Sequence, residues 1–158
     1  MRRLTALACL MLLVSVPLNA GIDGKKALYV GGTVKGLIEN IEGRLITSDE
    51  TVITFVPDKK SIQPATIRWT SITDLEYGQK AGRRVGVAVA VSPLALFSKK
   101  RNHFLTLAYT DVEGKEQACI LELGKDIVRT TLQIMQTRSG KTLKFQDDEA
   151  RKSLGGGK

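Results

Sequence analysis

An uncharged, mostly apolar run from Val85 to Phe97, VGVAVAVSPLALF, stands between two groups of cations, and it does most to limit what this chain can build. Lys80, Arg83 and Arg84 precede it; Lys99, Lys100 and Arg101 follow it. A membrane-spanning helix needs ~17–25 apolar residues, more than this run supplies, and Pro93 interrupts it. Gly78, Gly82, Gly86 and Ala90 do have the small-residue spacing that packs transmembrane helices. A helix using that spacing would bury Lys80, Arg83 and Arg84, which is costly. Val85, Val87, Val89 and Val91 instead alternate with Gly86, Ala88, Ala90 and Ser92. That period of two, with β-branched residues on one face, predicts a strand to Val91 that ends at Ser92-Pro93.

Two readings of this stretch stay open. It is a buried strand and turn with its flanking cations in water, or a hairpin whose apolar tip enters the outer part of a bilayer. In the second reading Leu94, Leu96 and Phe97 insert, and the six cations sit at headgroup level. Each Lys or Arg near an anionic surface contributes roughly 1 kcal/mol, and each fully inserted aliphatic side chain about 1.5–3 kcal/mol. Attachment of that kind is reversible and weakened by salt.

The rest of the chain reads as short strands closed by a helix. Ala27 to Val34 is β-capable but broken by Gly31 and Gly32, which predicts a bulge or bend. Gly43 to Thr47 and Thr51 to Val56 flank Ser48-Asp49-Glu50 as a hairpin. Ala65 to Trp69 is a strand with Ile67 and Trp69 on one face and Arg68 on the other, and Asp74 to Lys80 continues with Leu75 and Tyr77. Phe104 to Thr110 and Glu116 to Leu123 make a second hairpin around Asp111-Val112-Glu113-Gly114. The period then changes: Val128, Leu132 and Met135 recur at helical spacing between Asp126 and Arg138, and Gly140 follows as a stop. Residues 141–158, charged and ending in Gly155-Gly156-Gly157-Lys158, are expected to be a disordered tail.

Hairpins followed by a single carboxy-terminal helix resemble the pleckstrin-homology-like barrel, including its bacterial and GRAM-like relatives. The course Gly43-Arg44-Leu45-Ile46-Thr47, Thr54-Phe55, Ile67, Ile72 and Leu75 is similar to the loose pattern of that family, over roughly residues 34–140. The resemblance implies two packed antiparallel sheets with the helix plugging one end, and binding of phosphoinositides or proteins. The chain also resembles small exported bacterial proteins, a class that implies no activity.

Residues 1–20 have the layout of a secretory signal: basic Met1-Arg2-Arg3, an uncharged apolar stretch to Leu18, and Ala20 at the cleavage point. An uncleaved anchor is the alternative. Cys9 lies too early in the stretch for an acylation site. Removing the signal takes Arg2 and Arg3 with it, so the net charge falls from +8 to +6 and the chain stays basic. An exported setting disfavours phosphoinositides, so only the fold of the resemblance carries over. It also leaves Cys119 alone, alternating with Leu121 and Leu123 as a small core residue and unable to form an internal disulfide.

Signatures of catalysis are not legible. His103 is the only histidine, so no two-histidine metal or catalytic arrangement can form; it reads as a strand-end residue that titrates near neutrality. Ser139-Gly140-Lys141-Thr142 mimics the end of a phosphate-binding loop, but Met135 stands where glycine is required and a helix precedes it. Nucleic acid is disfavoured, because no aromatics interleave with Lys80–Arg84 and only Phe97 and Phe104 flank Lys99–Arg101.

These observations predict a mainly β domain over residues 21–140, a compact antiparallel barrel or two packed sheets closed by one helix at about 126–138. The expected function is non-catalytic, without cofactor or metal: an exported module docking on an anionic surface such as a membrane. Lys80, Arg83, Arg84, Lys99, Lys100 and Arg101 supply attraction, and Leu94, Leu96 and Phe97 insertion. The alternative is a protein-interaction module that offers residues 85–97 as an edge strand to a partner.

Overall fold

A computed structural model describes residues 23–80 and 102–155. The fold is mainly β, a single open and strongly curled sheet of eight strands with one long helix. The strands are β1 (Lys25–Gly32), β2 (Ile41–Ile46), β3 (Val52–Pro57), β4 (Ala65–Arg68), β5 (Ile72–Gly78), β6 (His103–Thr110), β7 (Glu116–Leu123) and β8 (Leu143–Phe145). Their order across the sheet is β4-β3-β2-β1-β7-β6-β5-β8. Every pairing is antiparallel except β5 with β8. The first strand therefore lies at the centre, and two meanders run outward from it.

Alternation decides which side chains face inward. Ala27 and Tyr29, Ile41 and Leu45, Ile53 and Phe55, Ile67, Leu75 and Tyr77, Leu105 and Leu107, and Cys119 to Leu123 by twos enter one core cluster. The helix α1 (Val128–Ser139) completes it with Val128, Leu132, Ile134 and Met135, at about 1.5–3 kcal/mol for each fully buried side chain. Helical spacing thus correctly marked the face that packs on the sheet. Gly140 ends α1 at φ 67°, its N–H donating to the Gln136 carbonyl. A second, smaller cluster of Val30, Phe104 and Ile120, with Leu28 against it, occupies the opposite face of β1, β7 and β6.

The bulge expected at Gly31-Gly32 is present: the β1–β7 register shifts between Tyr29 and Gly31. Gly32 takes φ 137°, and a Cβ there would come within 2.2 Å of the Ala118 carbonyl oxygen. Cys119 is buried in the core, where burial alone pushes its thiol up to about 12. Trp69 leaves β4 into a 3-10 turn (Trp69–Ser71), and its indole N–H donates to the Asp49 carbonyl at 2.9 Å. Arg138 of α1 lies over the same ring and also reaches that carbonyl, tying the helix end to the β2–β3 hairpin.

Of the two expected arrangements the barrel-like one forms, as one continuous open curled layer, because β1 pairs with β2 and β7 on its two sides. One expectation changes. Residues 141–155 are not a disordered tail: Leu143 is buried as β8 pairs with β5, and α2 (Asp148–Ser153) follows. Charge concealed the helix signal there. Asp147 is an N-cap whose carboxylate accepts from the Ala150 N–H at 2.7 Å. Asp148 and Glu149 then occupy the first turn and Arg151 and Lys152 the last, the polarity the helix dipole favours. Ala150 is fully buried beneath them.

Candidate functional site

Arg83, Arg84, Leu94, Leu96, Phe97, Lys99, Lys100 and Arg101 lie outside the described residues. Lys80 is described and exposed, two positions beyond β5. The roots of the segment are well defined. Gly78 on β5 faces Phe104 on β6, so the chain leaves and re-enters the sheet at one end, between neighbouring strands. Lys80, two positions beyond Gly78, stands at that end of the sheet.

That end of the sheet gathers further cations from distant parts of the chain. His103 faces Leu123 on β7, and Leu123 faces Ala27 on β1. Lys25 and Lys26 precede Ala27, and Lys125 follows Leu123 by two positions, so all three emerge beside the roots of the segment. Lys25, Lys26, Lys80 and Lys125 are all exposed, and none of the four forms an ion pair with a described residue. Of the acids at this end, burial raises the Glu122 carboxyl above its usual range, with an opposing hydrogen bond from Asn102. Sequence reasoning missed Lys25, Lys26 and Lys125. Nothing local marks them, because only the strand register brings positions 25, 80 and 125 together.

Beneath the cations a polar chain fastens α2 to the sheet. The Tyr77 hydroxyl meets His103 Nδ1 at 2.5 Å and Ser153 Oγ at 3.0 Å, and Ser153 Oγ donates to the Ala150 carbonyl at 2.7 Å. The hydroxyl of Ser153 has a single proton, and the carbonyl can only accept. The polarity of the chain then runs from His103 Nδ1–H to Tyr77, from Tyr77 O–H to Ser153, and from Ser153 to Ala150. That arrangement leaves Nε2 of neutral His103 as the atom that takes up a proton. Burial lowers the His103 pKa below its ordinary value, and the Lys125 charge adds to the effect. Burial raises the Tyr77 phenol, the Ser153 contact opposing it.

Around this chain, the Tyr77 ring stacks on His103 and meets Phe145 edge-on, and the Arg151 guanidinium covers Phe145. A Cβ at Gly78 would meet Gln146 Oε1 at 2.5 Å, so a side chain there would displace that amide. Among the described residues no group of three or more His, Cys, Asp or Glu side chains is placed to hold a metal ion. Nor is any helix among them long and apolar enough to cross a membrane. No known family model matches the chain, and no curated protein matches its sequence.

Proposed function

We propose that this protein is an exported, non-catalytic docking module that holds an anionic membrane surface at the end of its sheet where β5 and β6 open. Attraction comes from Lys80, Arg83, Arg84, Lys99, Lys100 and Arg101, reinforced by Lys25, Lys26 and Lys125; Leu94, Leu96 and Phe97 enter the lipid. The observation that carries this reading is the convergence of Lys25, Lys26, Lys80 and Lys125 on the roots of the basic-apolar-basic segment. Four cations from three separate parts of the chain, without ion pairs among the described residues, make a docking face at one sheet end. Two meanders joined through β1 and followed by a helix are also what a pleckstrin-homology-like architecture would have, which supports that resemblance.

Co-sedimentation of the protein with neutral and anionic phosphatidylglycerol-containing vesicles, at low and high salt, tests the proposal. Binding is expected only to the anionic vesicles and weaker in salt. At roughly 1 kcal/mol per cation, the double change Lys25→Ala, Lys26→Ala should weaken it by on the order of tenfold or more with unchanged thermal stability. Equal affinity for neutral vesicles, or no effect of the double change, would overturn the role given to these lysines.

A further inference from the structure

We propose a second interaction surface: the free edge of β4, with the groove beside it, receives an extended polypeptide segment that adds to the sheet as another strand. β4 is one of the two edges of the open sheet, and among the described strands it pairs with β3 alone. Its register sets Val52 against Arg68, Ile53 against Ile67 and Phe55 against Ala65. The Trp69 N–H donates to the Thr51 carbonyl at 3.0 Å, in phase with that register. Backbone groups alternate sides along a strand, so Ala65 and Ile67 bond to β3 while Thr66 and Arg68 turn theirs outward. The Arg68 carbonyl accepts from Ser71 Oγ at 2.8 Å. The N–H groups of Thr66 and Arg68 and the Thr66 carbonyl have no partner among the described residues.

Those groups border a groove of about 740 Å³ that follows the whole of β4. Its far wall is made by Val34, Lys35 and the β6–β7 turn from Tyr109 to Val112. The groove therefore lies between the outward row of β4 and the opposing turn. The wall chemistry indicates what enters. Val112 is 88% exposed at the lip, an apolar side chain with nothing over it. Lys35 is paired with Glu113 at 2.6 Å. Asp111 is engaged by the N–H groups of Glu113 and Lys115 and by Gln117. The Arg68 guanidinium is exposed and forms no ion pair with a described residue. The occupant that fits is an extended, β-branched peptide with an acidic residue opposite Arg68, held by main-chain bonds to Thr66 and Arg68.

The test uses two capped hexapeptides of alternating Val and Thr, one with a central Glu and one with a central Lys, titrated into the protein and followed by backbone amide shifts. The Glu peptide should move the amides of Thr66, Arg68 and Val112 and bind about tenfold tighter than the Lys peptide. Thr66→Pro removes one outward N–H and leaves the β3 pairing intact, since edge strands accept proline with its nitrogen facing out. It should abolish binding without changing Tm. Should Thr66→Pro disturb the fold, Arg68→Glu supplies the second reading, because it should reverse the preference between the peptides. Absence of shifts along β4, equal binding by Thr66→Pro, or no reversal by Arg68→Glu would overturn the proposal. Self-association that Thr66→Pro abolishes would also overturn it, by assigning the edge to a second copy of the chain.

Discussion

Replacing Tyr77 by Phe removes one oxygen from the point where β5, β6 and α2 are joined, and its consequences can be worked out group by group. The ring keeps its stacking on His103 and its edge contact with Phe145, so the packing change is small. Two hydrogen bonds are lost, to His103 Nδ1 and to Ser153 Oγ. Each is worth about 0.5–1.5 kcal/mol net. Ser153 retains its bond to the Ala150 carbonyl, while the His103 Nδ1–H is left for water to reach. The expected loss is therefore about 1–3 kcal/mol.

The pH dependence tests the proton polarity of the chain. His103 has a folded pKa below its unfolded value. Its contribution to stability is thus complete above the unfolded value and is lost as pH falls through the folded one. Because Nδ1 already carries the proton given to Tyr77, acid protonates Nε2 and does not break that bond. Urea denaturation of the two proteins from about pH 8 down to about pH 5 should give curves displaced by a constant amount. Convergence of the curves in acid would refute the assignment, since it would mean that Nδ1 accepts from Tyr77 and loses that bond on protonation. A displacement below about 0.3 kcal/mol would refute the role of the hydroxyl itself.

Other expected outcomes concern the frame. Gly32→Ala combines a φ of 137° with a Cβ 2.2 Å from a backbone oxygen, and should cost on the order of 2–4 kcal/mol in chemical denaturation. Met135→Ala empties a fully buried position where α1 meets the sheet; a loss of about 2–5 kcal/mol is expected, and little change would mean that the helix does not pack as described. Asp147→Ala deletes the α2 cap. It should cost roughly 0.5–2 kcal/mol and speed amide exchange in residues 148–153 while leaving β2 and β3 unaffected. Arg138→Ala should change the emission of Trp69, the only tryptophan, by removing the guanidinium above its ring.

Much of the sheet was legible in the sequence, because alternation is a local signal. Val52 to Val56, Leu105 to Tyr109 and Cys119 to Leu123 place every second residue inward, and the expected strands differ from the observed ones by a residue or two. The α1 stripe and its glycine stop were equally local. What escaped depends on distant partners. Residues 143–153 look like a solvated tail until β5 is available for Leu143 to pair against. The same holds for the site. Lys80 belongs to an evident cluster, but Lys25, Lys26 and Lys125 join it only through the Ala27–Leu123–His103 row of the sheet. Glu76 reads as the polar partner of Leu75 and Tyr77, yet it is buried with them, because both faces of β5 are covered.

The central position of β1 also has a kinetic meaning. The strand synthesised first has its second neighbour in β7, and Tyr29 meets Leu121 across roughly 90 residues of chain. Closing a loop of that length costs about 4 kcal/mol in chain entropy before any contact repays it, so long-range pairing of this kind makes for slow folding. Until residues 116–123 arrive, β1–β4 form a meander whose innermost strand has one backbone row unpaired. Commitment to the native state therefore waits for residues 116–123, and until then the early strands have only their own meander to hold them.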